Sequence, residues 1–164
     1  MGSGKTAVGR EIARRLGRPF VDSDRQIETS TGRTVREIWT SDGEPVYRRL
    51  EAAALATAIT EPEPAVIAAA GGVVLDPANR ELLRRCGVVV WLDADPVVLV
   101  ERAITGEHRP LLDVDPAAAM RSMAADRRAL YEEVATHRVD VTSLSPAGVV
   151  HRVLSLIDSR ASSR

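Results

Sequence analysis

Gly2-Ser3-Gly4-Lys5-Thr6 carries the second half of the pattern G-x-x-x-x-G-K-[ST], whose glycines let successive backbone N–H groups turn inward around phosphate oxygens. Val8, Ile12, Ala13 and Leu16 follow at helical spacing and Gly17 stops the run. The positive end of a helix over residues 4–16 therefore faces the same anion. In such a loop the lysine reaches the outer phosphates of a nucleoside triphosphate, and the Thr6 hydroxyl ligates Mg2+. A flexible Gly-Ser segment would begin the same way, but would not lead at once into an amphipathic helix. Lys5 is also the only lysine in the chain, every other cationic side chain being arginine. A slim ammonium fits inside a tight backbone loop where a broad guanidinium does not. The first glycine of the pattern, and the strand that feeds it, would precede Met1.

Other residues could complete a site. Asp22 and Asp24 close a short strand at Phe20-Val21, at the carboxyl edge where α/β sheets bind ligands. Two carboxylates one residue apart on a strand share a face, so one could support a metal while the other takes a proton from a hydroxyl. Acidic residues at a helix start would give the same pattern. Arg48 and Glu51 lie three apart on a helix, where the carboxylate can orient the guanidinium, although a surface ion pair reads identically. Arg109 falls in the irregular stretch 105–115, a lid-like loop from which it could swing onto a phosphate. Arg127 and Arg128 sit on the helix after it, where solvent-facing charge is the common case. His108, His137 and His151 are scattered, and Cys86 precedes an apolar strand, so neither type suggests zinc or nucleophilic chemistry.

The elements that must position these residues are legible. Beyond the first helix and strand, polar helical turns break at Gly32, and a helix spans about 45–60. Strands are expected at Ala65–Ala70, Gly87–Leu92 and Val139–Thr142. Asp76-Pro77, Asp95-Pro96, Asp115-Pro116 and Ser145-Pro146 each place a capping oxygen before a proline at the first helical position. Strands alternating with helices imply an α/β domain with a parallel sheet covered on both faces. At 164 residues, 45% apolar and 27% charged, the chain suits one globular domain over 1–164. A net charge of −1 does not suggest a nucleic-acid surface. No apolar run reaches the roughly 20 residues that span a bilayer, and the single cysteine excludes an internal disulfide. A cytoplasmic protein is expected.

In order and spacing, Met1–Gly9, Phe20–Asp24, Asp42–Glu51, Gly71-Gly72, Arg109–Leu112 and Arg127–Tyr131 resemble the shikimate kinases over nearly the whole chain. The resemblance implies a three-layer α/β/α fold of the nucleoside-monophosphate-kinase-like type, with five parallel strands and a lid. It implies transfer of the γ-phosphoryl of ATP to the 3-hydroxyl of shikimate, with Mg2+. Lys5, Asp24 and Arg109 would be catalytic, and Gly2, Ser3, Gly4, Lys5, Thr6, Arg102 and Arg109 would bind the nucleotide. Asp24, Arg48, Gly71, Gly72 and Arg127 would bind shikimate, Glu51 would hold Arg48, and Thr6 and Asp22 would serve the metal. Partners would be small molecules only, with no nucleic acid, no membrane and a monomeric state.

Three departures qualify the resemblance. Ala70 stands where the family usually has a third glycine, and Asp140–Pro146 lacks the basic residue some relatives place beside adenine. The P-loop strand is missing, as if an internal methionine had been taken for the start. Two other readings stay open: a ligand-binding relative impaired in catalysis, and a kinase of another small metabolite such as gluconate.

Overall fold

The structure is a computed structural model, and it describes residues 2–104 and 115–161. Most of the expected lid, with His108 and Arg109, lies outside the described residues. Helix α1 (Lys5–Leu16) leads to strand β1 (Phe20–Asp22), then α2 (Ser23–Thr31), α3 (Val35–Asp42) and the long α4 (Glu44–Thr60). Strand β2 (Val66–Ala68) and a 3-10 turn (Val73–Leu75) precede α5 (Pro77–Arg85) and β3 (Val90–Asp93). Next come α6 (Pro96–Ile104), α7 (Pro116–Val134), β4 (His137–Asp140) and α8 (Pro146–Ala161). Among the described residues no helix is long and apolar enough to cross a membrane.

The four Asp/Ser-Pro pairs all start helices. Asp76 accepts the Ala78 N–H at 2.8 Å, Asp95 that of Val97 at 2.8 Å, Asp115 that of Ala118 at 2.9 Å and Ser145 that of Gly148 at 3.2 Å. Each cap satisfies a backbone donor that the helix cannot, while proline lacks the donor that would go unused. A Thr34–Glu37 capping box starts α3, and Gly32 ends α2 in the left-handed region at φ 67°.

The strands form two parallel pairs. Phe20, Val21 and Asp22 lie opposite Val66, Ile67 and Ala68, while Val90 to Asp93 lie opposite His137 to Asp140. Among the described residues these pairs are separate, whereas the resemblance implies one five-stranded sheet. Helix α1 ties them together: its buried Val8 and Ile12 share one apolar cluster with Val139 and Val150, against which Val66 of β2 and Val90 and Leu92 of β3 also pack. Gly9 on the same helix lets it approach β1 closely, since a Cβ there would lie 2.9 Å from the Phe20 ring.

Strand limits differ from those expected. β3 starts at Val90 rather than Gly87, and β4 runs two residues earlier than Val139–Thr142. Asp140 explains the second shift, because its carboxylate accepts the Thr142 N–H at 2.9 Å and turns the chain out of the ladder.

Candidate active site

The loop before α1 is built by glycine. Gly2 and Gly4 have φ of 68° and 82°, the left-handed region that side chains resist. A Cβ on Gly2 would also stand 2.5 Å from the Leu99 carbonyl oxygen of α6. Gly4 is the N-cap, with no side-chain cap and no acidic residue in the first turn. The helix start therefore offers N–H groups and its positive end to an anion.

Two carboxylates face this loop. Thr6 Oγ1 donates to Asp22 Oδ2 at 2.7 Å, and Lys5 Nζ pairs with Asp24 Oδ2 at 3.5 Å. Asp22 is also the N-cap of α2, its Oδ1 accepting the N–H groups of Asp24 at 3.1 Å and Arg25 at 3.5 Å. The expectation that both carboxylates lie on one strand is corrected here. β1 ends at Asp22, because that cap turns the chain into α2, and Asp24 occupies the first helical turn. A carboxylate and a hydroxyl oxygen in contact make a fitting seat for Mg2+, which takes few protein ligands and keeps water and phosphate oxygens. Among the described residues no group of three or more His, Cys, Asp or Glu could hold a metal. A divalent ion at this seat would thus draw most of its ligands from outside the protein.

Helix α4 presents Arg48, whose Nη1 donates to both oxygens of Glu51 at 3.0 and 2.9 Å. Its Nε and Nη2 reach Glu44 at 3.1 and 2.9 Å. This is no surface pair, since Glu51 is 1% exposed. Burial pushes the Glu51 carboxyl above its ordinary value despite the guanidinium beside it. Gly72 lies directly beneath Arg48: a Cβ there would fall inside the guanidinium. The neighbouring Gly71 carbonyl accepts the Tyr131 hydroxyl at 2.7 Å and Arg127 Nη1 at 3.4 Å. Arg48 and Arg127 thus flank the same dipeptide, and Arg127 is half-buried rather than solvent-facing. A cavity of about 440 Å3 opens beside Arg48, lined also by Glu44, Glu51, Gly72 and Asn79 among others.

Three positioning side chains escape the sequence reading. Ser23 is fully buried, and its hydroxyl accepts the Ala70 N–H at 2.9 Å, fixing the approach to Gly71. Tyr131 ties Gly71 to α7 and stacks on Trp91 with centroids 5.4 Å apart. Tyr47, 6% exposed, donates its hydroxyl to Asp24 Oδ1 at 3.0 Å. Burial raises its phenol, helped by the charges of Asp24 and Glu51, so the group stays a donor. The arginine one residue later gave a signal, but a tyrosine on an apolar face reads as core.

Arg102 Nη2 donates to the carbonyls of Val141 and Thr142, both at 3.1 Å. Arg128 sits over the Trp91 ring at 5.4 Å, and the Cys86 thiol, raised by burial, donates to the Leu82 carbonyl.

Comparison with known proteins identifies the family. The family model described as shikimate kinase matches residues 1–158. A shikimate kinase of Symbiobacterium thermophilum is 48% identical over 98% of this chain and 93% of its own length. One from Dechloromonas aromatica is 43% identical over 94% of this chain and 84% of its own length. Among solved structures, the Acinetobacter baumannii shikimate kinase in complex with shikimate superposes with a TM-score of 0.92 at 35% identity, covering 98% of this chain and 89% of that one. The shikimate kinase of Bacteroides thetaiotaomicron gives 0.84 at 30% identity, covering 96% and 94%. The chain belongs to the shikimate kinase family.

Proposed function

We propose that this chain transfers the γ-phosphoryl group of ATP to the 3-hydroxyl of shikimate, yielding ADP and shikimate 3-phosphate. The supporting observation is the 3.5 Å contact of Lys5 with Asp24, which brings the phosphate loop and the acceptor side together at one carboxylate. In this reading Gly2, Ser3, Gly4, Lys5 and Thr6 hold the triphosphate, and Arg102 lies toward the adenine. Arg48, kept in place by Glu51, and Arg127 clamp the shikimate carboxylate over Gly71 and Gly72. Asp24 orients the 3-hydroxyl and accepts its proton as the new O–P bond forms and the bond from Pγ to the bridging oxygen breaks. Lys5, and Arg109 from a lid over about 105–115, neutralise charge developing on the transferred group. Thr6 and Asp22 would hold Mg2+, which when bound offsets phosphate charge. The reading takes the chain as one domain, a cytoplasmic monomer acting on small molecules.

A coupled assay of ADP release with shikimate, gluconate and nucleoside monophosphates tests the proposal. Turnover with shikimate alone is expected. Turnover with gluconate and none with shikimate would overturn it.

A further inference from the structure

Among the described residues, the Asp24 carboxylate meets two partners of different character. Lys5 reaches Oδ2 at the end of a flexible stem, and the same ammonium is required by the phosphates when nucleotide is bound. Its hold on Asp24 is therefore conditional. Tyr47 reaches Oδ1 from a side chain with two rotatable bonds, packed in an apolar cluster with Ile27, Ile38 and Ala54. Its ring lies 5.4 Å from Trp39, and the Arg48 guanidinium covers it at 5.3 Å. The backbone beneath Asp24 is fixed in turn by the Asp22 cap.

Resting on the functional reading above, we infer that Tyr47 is a positioning residue that anchors Oδ1 of Asp24 and leaves Oδ2, the oxygen facing the phosphate loop, to receive the proton of the acceptor hydroxyl. Without that anchor the carboxylate rotates about its side-chain bonds once Lys5 turns to the phosphates. Proton transfer depends on alignment, so the loss falls on turnover more than on binding. Carrying the anchor on α4 next to Arg48 also sets the proton acceptor and the carboxylate clamp from one rigid helix.

The test compares the full chain with Tyr47→Phe and with Ile38→Val, a packing control in the same cluster, after circular dichroism has established that each is folded. With Tyr47→Phe, kcat is expected to fall roughly tenfold, part of the 10²–10⁴ that a positioned base contributes, while KM for ATP and shikimate stays within about threefold. Ile38→Val should lower the melting temperature and leave kcat unchanged. Wild-type kcat in Tyr47→Phe, or an equal fall in Ile38→Val, would overturn the inference while wild-type turnover of shikimate keeps the functional reading intact. Absence of shikimate turnover in the wild type would overturn both.

Discussion

Gly72 is glycine because Arg48 occupies the volume a side chain would need. The resemblance implied that this glycine binds substrate. The structure adds a nearer reason, which links two residues 24 positions apart that had seemed independent. Gly72→Ala must displace the guanidinium from its place above Glu51, and overpacking of this kind costs about 1–3 kcal/mol. Shikimate KM should rise more than tenfold in steady-state assays, with a smaller effect on KM for ATP; unchanged shikimate KM would show that Arg48 can move freely. Asp24 yields the complementary prediction. Asp24→Asn keeps the shape and a partner for Tyr47 but cannot take a proton, so kcat should drop by roughly 10²–10⁴. ADP affinity, measured by calorimetry, should stay near wild type, and full turnover at saturating shikimate would remove Asp24 from the base role.

Elements set these distances. The α1 helix begins at a glycine N-cap and carries Lys5 and Thr6 in its first turn, so its seating on β1 decides where both side chains reach. Gly9 governs that seating. Alanine there would gain about 1 kcal/mol of helix propensity but press its Cβ on Phe20, effects that nearly offset. Gly9→Val gains less of that propensity and adds two more methyl groups. It should cost about 2 kcal/mol in denaturant unfolding and weaken nucleotide affinity, since α1 must lift away from β1. Equal stability would show that Phe20 has room to rotate. The helix starts were legible at this scale because capping is local chemistry, decided by residues within one turn. The strand ends were less so. Asp22 and Asp140 end their strands by turning the backbone with their own side chains, and an aspartate at a strand end reads equally well as ligand or cap.

At the scale of the whole molecule, the described residues form three apolar clusters, one under α1 and α8, one around Leu55 and Val73, and one around Ile27 and Tyr47. A ligand bridging Arg48 of α4 and Arg127 of α7 links parts of the chain some 80 residues apart, so its binding free energy adds to global stability. At 100 times its Kd, shikimate should stabilise the protein by about 2.7 kcal/mol, a melting shift of roughly 5–10 °C. In Arg127→Ala most of that shift should vanish while the shift caused by ADP remains; a full shikimate response would place Arg127 outside the acceptor site. The sequence by itself determined the phosphate loop, the helix starts and the family, because glycine geometry, caps and ordered motifs depend on residues close together in the chain. Only the tertiary structure decided that Asp24 lies on a helix, that Tyr47 and Lys5 meet on its two oxygens, that Ser23 and Tyr131 hold the Ala70–Gly71 segment, and that Arg48 fills the space above Gly72. Those contacts join segments distant in sequence, and no local pattern records which side chains packing will bring together.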